Sequence, residues 1–223
     1  DVSKLPPSLT HLMFGRYFNK DVSKLPPSLT HLTFGHDFNK DVSNLPLKIT
    51  HLTFDSCFNQ DVSNLPHTLT YLKFGWNFNQ DVSNLPPSLT HLSFSWNFNQ
   101  DVSNLPPSLT HLSFGNNFNQ NISKLPLGIT HLTLDREFIQ HYDIPPNVQY
   151  LKLNCNNQYI INSLPNSIVE LELGYKFSLE MNNDQLKSST YSSQQKMTES
   201  FLEIIKKLII DLNITKLNMK VCT

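Results

Sequence analysis

The sequence begins with seven copies of one 20-residue unit, and this repeat constrains the fold more than any other feature. The first copy reads DVSKLPPSLTHLMFGRYFNK and spans residues 1–20. The later copies begin at Asp21, Asp41, Asp61, Asp81, Asp101 and Asn121. A period near 20 residues is typical of a solenoid, in which each repeat contacts only its neighbours along the stack. The repeat therefore predicts an elongated molecule whose function lies on a surface rather than in a deep pocket.

The fifth repeat, residues 81–100, shows how one coil is expected to fold. Its HLSF segment alternates polar and apolar side chains, which is typical of a short strand with one buried face. The LPP segment at residues 85–87 cannot lie inside a helix, because Pro lacks the amide donor and restricts the residue before it. We expect this segment to be extended or polyproline-like, on the side of the coil opposite the strand. The side chains expected in the core are Val82, Leu85, Leu89, Leu92, Phe94 and Phe98.

Polar side chains of the same repeat have predicted roles in its turns. Asp81 and Ser83 carry short acceptors suited to capping a turn. Asn99 follows the inward-facing Phe98, and we expect its amide to hydrogen-bond to backbone groups of a turn. The residues equivalent to Phe98 are expected to form a column in the core: Phe18, Phe38, Phe58, Phe78, Phe118 and Phe138.

The repeat becomes less regular toward the C-terminus. The eighth copy is one residue shorter, and the ninth ends near Phe177, so we assign residues 1–179 to the solenoid. Residues 180–197 are rich in Ser, Gln and Asn and predict a polar loop. Residues 198–223 predict a cap made of an amphipathic helix and a terminal strand, because the ITKLNM segment at 214–219 matches a repeat strand. The alternative is a detached helix that binds a partner.

A recurring Phe-Asn, followed by Val or Ile and then Leu-Pro, resembles the FNIP repeat. The pattern is first seen at Phe18-Asn19, Val22 and Leu25-Pro26, and it recurs through residue 126. FNIP proteins occur mainly in amoebae and in large viruses that infect them, and the family is related to leucine-rich repeats. The resemblance implies a mainly β or α+β fold, namely a leucine-rich-repeat-like solenoid of about nine 20-residue repeats with one short parallel strand each. Many members carry an F-box upstream, which implies recruitment of substrates to a ubiquitin ligase.

The resemblance also implies a ladder of Asn side chains that hydrogen-bond to the backbone. In this sequence the ladder would consist of Asn19, Asn39, Asn59, Asn79, Asn99 and Asn119.

The candidate binding residues lie at outward-facing or variable repeat positions. Position 11 is His in every one of the seven copies except the fourth, which has Tyr71, and these rings should stack about 4.8 Å apart on one open face. Positions 13, 16 and 17 differ most between copies, which places them outside the shared core. Trp76 and Trp96 share position 16 and predict an exposed pair that binds a partner, or else a pair that only stacks on itself. The partner-binding candidates are Trp76, Trp96, His91, His111, Tyr71, Lys73, Arg16 and Arg136.

Metal and catalytic sites are not expected. A straight, exposed His column does not converge on one ion, and the Asp column lacks a glycine-rich calcium loop. The sequence has no serine nucleophile elbow, zinc-protease helix or phosphate loop, so we predict a protein that is not an enzyme and binds no cofactor. Repulsion between crowded imidazoles should lower their pKa values, so that the fold loses stability below about pH 6.5.

Composition limits the partners. The net charge of −1 argues against nucleic acid, and no apolar run reaches the roughly 18 residues that a membrane span needs. Three scattered cysteines, Cys57, Cys155 and Cys222, favour a reducing, intracellular and cytoplasmic location. Because the sequence starts in phase with the repeat and without Met, we expect the natural chain to continue upstream.

These features favour a scaffold that binds a protein partner on the open strand face. Substrate recognition within an F-box ubiquitin ligase adaptor is one form of this role. The alternative is a structural component that self-associates end to end through its uncapped N-terminal repeat, because unpaired strand edges recruit further strands.

Overall fold

The computed structural model describes residues 2–155, 157–174, 214 and 216–219, which form a parallel β-solenoid. Each repeat contributes one short strand, and the strands lie side by side in chain order in one ten-stranded sheet. The strands are β1 His11–Met13, β2 His31–Thr33, β3 His51–Thr53, β4 Tyr71–Lys73, β5 His91–Ser93, β6 His111–Ser113, β7 His131–Leu134, β8 Tyr150–Leu153, β9 Glu170–Leu173 and β10 Lys216–Met219. The described residues also contain a 3₁₀ turn at Val2–Lys4 and one short helix, α1, at Gln158–Asn162.

The strand register confirms the repeat boundaries predicted from the sequence. Leu92 of β5 pairs with Leu112 of β6, 20 positions later. His131 of β7 pairs with Tyr150 of β8, so the eighth repeat is one residue shorter, as predicted. Parallel neighbours require a long return connection, and the remainder of each coil supplies it.

The core is a continuous apolar column, as predicted. In the fifth repeat, the six side chains expected inside are no more than 7% exposed. The rings of Phe94 and Phe98 stack with their centroids 3.7 Å apart, and Phe98 stacks on Phe118 of the next repeat at 6.2 Å. Such offset aromatic pairs contribute about 0.5–1.5 kcal/mol beyond area burial. Phe14 and Phe18 of the first repeat are only partly buried. Interior repeats therefore depend on both neighbours for their packing.

The LPP segment, predicted to be extended or polyproline-like, leads into a β-turn that begins at its prolines, and this turn was not predicted. In the second repeat, the Leu29 amide donates to the Pro26 carbonyl at 3.2 Å, with Pro27 at the second position of the turn. Two further β-turns of the same repeat are closed by the amides of Leu25 and Phe38, each at 3.3 Å. Proline presets the backbone angle that the second position of a turn requires. The proline pair therefore favours a turn over a continuous polyproline segment.

The Asp column caps one of these turns in each of the second to sixth repeats, as predicted. Asp81 accepts hydrogen bonds from the amide of Ser83 at 3.1 Å and from its hydroxyl at 2.6 Å. These hydrogen bonds stabilise the carboxylate and lower the pKa of Asp81. The same pairing and the same lowered pKa are found at Asp21, Asp41, Asp61 and Asp101.

The Asn ladder implied by the family resemblance is also confirmed. Asn99 Oδ1 accepts the backbone N–H of Asn119 at 2.9 Å and a side-chain N–H of Gln120 at 3.0 Å. Asn79 Oδ1 accepts the backbone N–H of Asn99 at 2.9 Å, and Asn119 Oδ1 accepts the backbone N–H of Ile139 at 3.1 Å. The ladder links each coil to the next at a place outside the strands.

Helix α1 interrupts the repeat between β8 and β9, and the sequence analysis did not predict it. Asn157 caps it: Oδ1 accepts from the Ile160 amide at 3.3 Å, while the side-chain nitrogen donates to the carbonyl of Gln140 at 2.9 Å. Ile160 and Ile161 are buried against the core. A helix of five residues is too short to show the periodicity by which helices are recognised in a sequence.

The terminal strand predicted at residues 214–219 is present. Leu217 of β10 pairs in parallel with Leu171 of β9, and Ile214 is only 5% exposed. The predicted polar loop at 180–197, the amphipathic helix that follows it, and the predicted end of the ninth repeat at Phe177 lie outside the described residues.

Candidate interaction surface

The outward side chains of the strands form a continuous surface, which we call the ladder face. Strands β2–β6 each bury their central Leu and turn the residues on either side of it outward. Position 11 supplies His11, His31, His51, Tyr71, His91, His111 and His131, and position 13 supplies Met13, Thr33, Thr53, Lys73, Ser93, Ser113 and Thr133.

The rings at position 11 stack along the ladder face, as predicted. Neighbouring histidine centroids lie between 4.0 Å and 4.2 Å apart. Tyr71 departs from this spacing, with its ring 5.6 Å from His51 and 6.1 Å from His91. One tyrosine therefore separates two histidine stacks.

In five repeats, the threonine before the ladder histidine determines which ring nitrogen carries the proton. Thr90 Oγ1 lies 3.0 Å from the Thr70 carbonyl oxygen and 2.9 Å from His91 Nδ1. Because a hydroxyl has one proton, it makes both hydrogen bonds only if it donates to the carbonyl and accepts from Nδ1–H. We assign this tautomer from the hydrogen-bond network, which leaves Nε2 as the acceptor of the ring. The same contacts occur at His31, His51, His111 and His131.

Partial burial keeps ladder histidines neutral. Desolvation, and to a smaller extent repulsion from His131 and His91, lowers the pKa of His111 to about 4. Desolvation is also the main cause of the lowered pKa values of His31 and His131. The predicted direction is confirmed for these three histidines, and repulsion between imidazoles contributes as predicted, but burial is the larger cause. At neutral pH these rings act as uncharged hydrogen-bond acceptors.

A shallow depression of about 300 Å³ lies on the ladder face between the fourth and seventh repeats. Its lining includes three of the candidates named from the sequence, Tyr71, His91 and His111. His131 and Thr133 extend it toward the C-terminal end. The structure thus brings these candidates together along one surface.

Trp76 and Trp96 form the predicted exposed pair. Their side chains are 60% and 45% exposed, with ring centroids 5.9 Å apart and the planes tilted by 40°. Both lie in the turn directly after a strand. In the first two repeats, the position-13 residue Met13 and the position-16 residues Arg16 and His36 line one common depression. By the equivalence of the repeats, the tryptophan pair borders the ladder face.

The remaining candidates differ in how close they lie to this pair. Lys73 is exposed on the ladder face, in the strand that leads directly into the Trp76 turn. Arg16 lies three repeats from Trp76, which is about 14 Å at the usual strand spacing. Arg136 lies two repeats beyond Trp96, which is about 10 Å. The two arginines are therefore peripheral to the surface formed by the other six candidates.

Two features of this surface were not found from the sequence. At the C-terminal end of the ladder face, Lys152 Nζ lies 2.8 Å from Glu172 Oε1, and Lys216 Nζ lies 2.8 Å from Glu170 Oε1. These cross-strand pairs become adjacent only in the three-dimensional register. Position 16 was expected outside the core, yet Asn116 is only 8% exposed.

The described interior offers no reactive or unsatisfied group. Cys155 is buried, and burial raises the pKa of its thiol to about 12, so the nucleophilic thiolate is not formed at neutral pH. Within the described residues, every buried side-chain nitrogen and oxygen has a hydrogen-bond partner. No helix in this part of the chain has the length and apolar character needed to cross a membrane.

A sheet of short parallel strands, one per coil of about 20 residues, with an Asn ladder and a stacked Phe core, defines a leucine-rich-repeat-like solenoid protein. The chain belongs to the FNIP repeat family. The family model matches residues 1–36, 21–57, 38–77, 78–117, 98–134 and 139–176. No curated protein matches the chain.

Among solved structures, the chain is similar to CroV588, described as a novel circular LRR protein structure. The two are 40% identical with a TM-score of 0.65, and the alignment covers 80% of this chain and 32% of that one. The chain therefore spans about a third of the length of this neighbour. Repeat solenoids of this class are typically non-catalytic scaffolds for protein interaction.

Proposed function

We propose that this protein is a non-catalytic scaffold that binds a protein partner on the ladder face, between the fourth and seventh repeats. The observation that carries the proposal is the exposed Trp76–Trp96 pair at the border of the surface that contains Tyr71, His91 and His111. Large aromatic rings beside a depression are typical binding hot spots, because they bury much area at little entropic cost.

The chemistry of the ladder face limits what the partner presents to it. The neutral histidines offer Nε2 acceptors, so they match hydrogen-bond donors such as Asn and Gln amides, hydroxyls or an Arg guanidinium. The tryptophan pair matches apolar or cationic side chains. We therefore expect a partner surface that combines apolar side chains with donors and is poor in carboxylates.

Quantitative cross-linked capture from the native cells tests the proposal, with the full chain as bait. Trp76→Ala combined with Trp96→Ala should lower the recovery of specific partners at least about tenfold, since a hot-spot residue contributes about 2 kcal/mol or more. The matched control is Leu127→Ala, which removes a side chain that is 66% exposed but lies outside the ladder face. Equal recovery by the double variant and the wild type would contradict the proposal.

Self-association is the second candidate, and the first repeat favours it. Strand β1 pairs with β2 and with no other described strand, and Phe14 and Phe18 beneath it are only partly buried. An edge of this kind can pair with another chain. Size-exclusion chromatography with light scattering distinguishes the two functions: a scaffold keeps the mass of one chain as the concentration rises, whereas a self-assembling protein grows.

Substrate recognition in an F-box ubiquitin ligase is a narrower form of the scaffold proposal. It depends on the family resemblance and on sequence joined to the solenoid. Co-precipitation of ubiquitin-ligase subunits with the full-length protein supports this form, and their absence from a complex that retains the partner contradicts it.

A further inference from the structure

Three side chains with metal-binding atoms meet in the turns of the second and third repeats. His36 Nδ1 lies 2.6 Å from Asp37 Oδ1 and 3.7 Å from Cys57 Sγ. A ligand atom from each of the three residues falls within 4.8 Å of the other two. All three side chains are partly exposed, so an ion can reach them from solvent.

The backbone that carries these side chains is held by hydrogen bonds between repeats. The amide of Asp37 donates to the Arg16 carbonyl and the amide of Cys57 donates to the His36 carbonyl, both at 2.9 Å. Each turn leads directly into a buried phenylalanine of the core column, Phe38 or Phe58. The three ligand atoms therefore project from a rigid support, which lowers the cost of organising them around an ion.

The other repeats show that this proximity is a property of the fold. Position 17 is Asn in the fourth, fifth and sixth repeats, where the Asn97 side chain donates to that of Asn77 at 3.2 Å and Asn117 donates to Asn97 at 3.2 Å. Side chains at position 17 of adjacent repeats thus lie within reach of each other. The same geometry places the Asp37 carboxylate beside the Cys57 thiol. Since those repeats fold with Asn, the fold does not require Asp and Cys at these places.

We propose that His36, Asp37 and Cys57 bind one divalent transition-metal ion of the zinc class, with water as the fourth ligand. An imidazole, a carboxylate and a thiolate are the donor atoms that Zn²⁺ prefers. Tetrahedral zinc places its nitrogen and sulfur ligands about 3.6 Å apart and its nitrogen and oxygen ligands about 3.3 Å apart. The observed separation of 3.7 Å between Nδ1 and Sγ already fits. A small rotation of the Asp37 carboxyl group lengthens the separation between Nδ1 and Oδ1 from 2.6 Å to the distance that zinc requires. The Cys57 thiol releases its proton to solvent when the ion binds.

Such an ion would join the second repeat to the third and strengthen the stack near its N-terminal end. The sequence analysis predicted no metal site, because it considered the straight His column and read positions 16 and 17 one residue at a time. The three ligands belong to two repeats and are separated by as many as 21 positions. This inference is independent of the proposed partner surface, because the cluster lies outside the fourth to seventh repeats.

A titration with Co²⁺ tests the site, because Co²⁺ occupies the tetrahedral nitrogen and sulfur sites of Zn²⁺ and is coloured. The titration uses the full chain with the substitution Cys222→Ser, so that Cys57 and the buried Cys155 are the remaining thiols. We expect one equivalent of Co²⁺ to produce a sulfur-to-cobalt charge-transfer band in the near ultraviolet, and Zn²⁺ to abolish it by displacement. We also expect Zn²⁺ to raise the melting temperature.

The variants take the residues that other repeats carry at the same positions, so they preserve folding. Cys57→Asn should abolish the band, while His36→Ser and Asp37→Asn should each weaken Co²⁺ binding at least tenfold. The matched control is His67→Ala, which removes an exposed imidazole elsewhere and should leave the titration unchanged. The absence of a charge-transfer band, or a band that survives Cys57→Asn, overturns the proposal. If Co²⁺ binds without producing the band, and binds equally well in the three variants and the wild type, the ion lies in another part of the chain. That result also overturns the proposal.

Discussion

Phe98 lies at the centre of the aromatic column, fully buried and stacked on rings of its own repeat and of both neighbours. We expect Phe98→Ala to lower the free energy of unfolding by about 3–5 kcal/mol, because it leaves a cavity that a close-packed stack cannot fill. Phe18→Ala is the matched control, since that ring is only partly buried in the first repeat and should cost less. Urea denaturation of both variants measures the difference. A cost below about 1 kcal/mol for Phe98→Ala would mean that the ring does not support the core.

The ladder histidines make the stability depend on pH. The lowered pKa values of His31, His111 and His131 mean that the unfolded chain binds protons more readily than the folded chain does. Stability should therefore be complete above about pH 6.5 and should fall as the pH drops toward about 4, the folded pKa of His111. The capping aspartates also lose stabilisation in acid, but only below their ordinary value of 3.8, so the two windows are separate.

His111→Tyr is the variant that checks this dependence, because the fourth repeat already carries Tyr71 at the same position. Melting temperatures at pH 7.5 and pH 5 should differ less in the variant than in the wild type. Equal melting temperatures at the two pH values in the wild type would show that the ladder histidines do not couple to folding.

At the scale of one structural element, the Asn ladder links neighbouring coils where they have no strand. Asn99→Ala removes the acceptor for the Asn119 amide and the Gln120 side chain, so it should cost about 1–3 kcal/mol. The matched control, Asn84→Ala, replaces an exposed Asn of the same repeat and should change stability by less than about 0.5 kcal/mol. Thermal denaturation of the two variants and the wild type measures the loss of stability that each substitution causes. Equal effects would mean that solvent replaces the ladder hydrogen bonds at no cost.

The terminal strand β10 is the element that covers the edge of β9. Deleting residues 214–223 removes the pairing to Leu171 and Leu173 and the buried Ile214 side chain. We expect a lower melting temperature and concentration-dependent association, because the freed strand edge can pair with another chain. Lys216→Ala is the control, since it removes only the exposed ion pair with Glu170. A deletion variant that melts like the wild type and stays monomeric would show that β10 does not act as a cap.

For the whole molecule, the stacking of repeats explains why no single coil folds alone. Each repeat obtains part of its core packing and all of its strand pairing from its neighbours, and the Phe94–Phe98–Phe118 series illustrates the shared packing. A stack of this kind exposes a long, regular surface. That is why residues at the variable positions, which the core does not need, are the ones available for binding.

The order of the strands, their shared face and the Phe core could be read from the sequence alone, because a solenoid makes each structural contact the same in every repeat. Once residues 91–94 are recognised as a strand, the fixed period of 20 places its neighbours at 71 and 111 without further information. The exposed Trp76–Trp96 pair followed in the same way. The family pattern at Phe18-Asn19 supplied the Asn ladder, which spacing alone did not identify.

Contacts that differ from one repeat to the next required the tertiary structure. The meeting of His36, Asp37 and Cys57 depends on how the turns of two particular repeats face each other. Among the described residues, helix α1 replaces a turn in a single repeat, where Asn157 donates to a backbone carbonyl 17 positions away. Periodicity averages over the copies, so it reveals what they share, whereas a site made from differences between copies exists only where folding brings those side chains together.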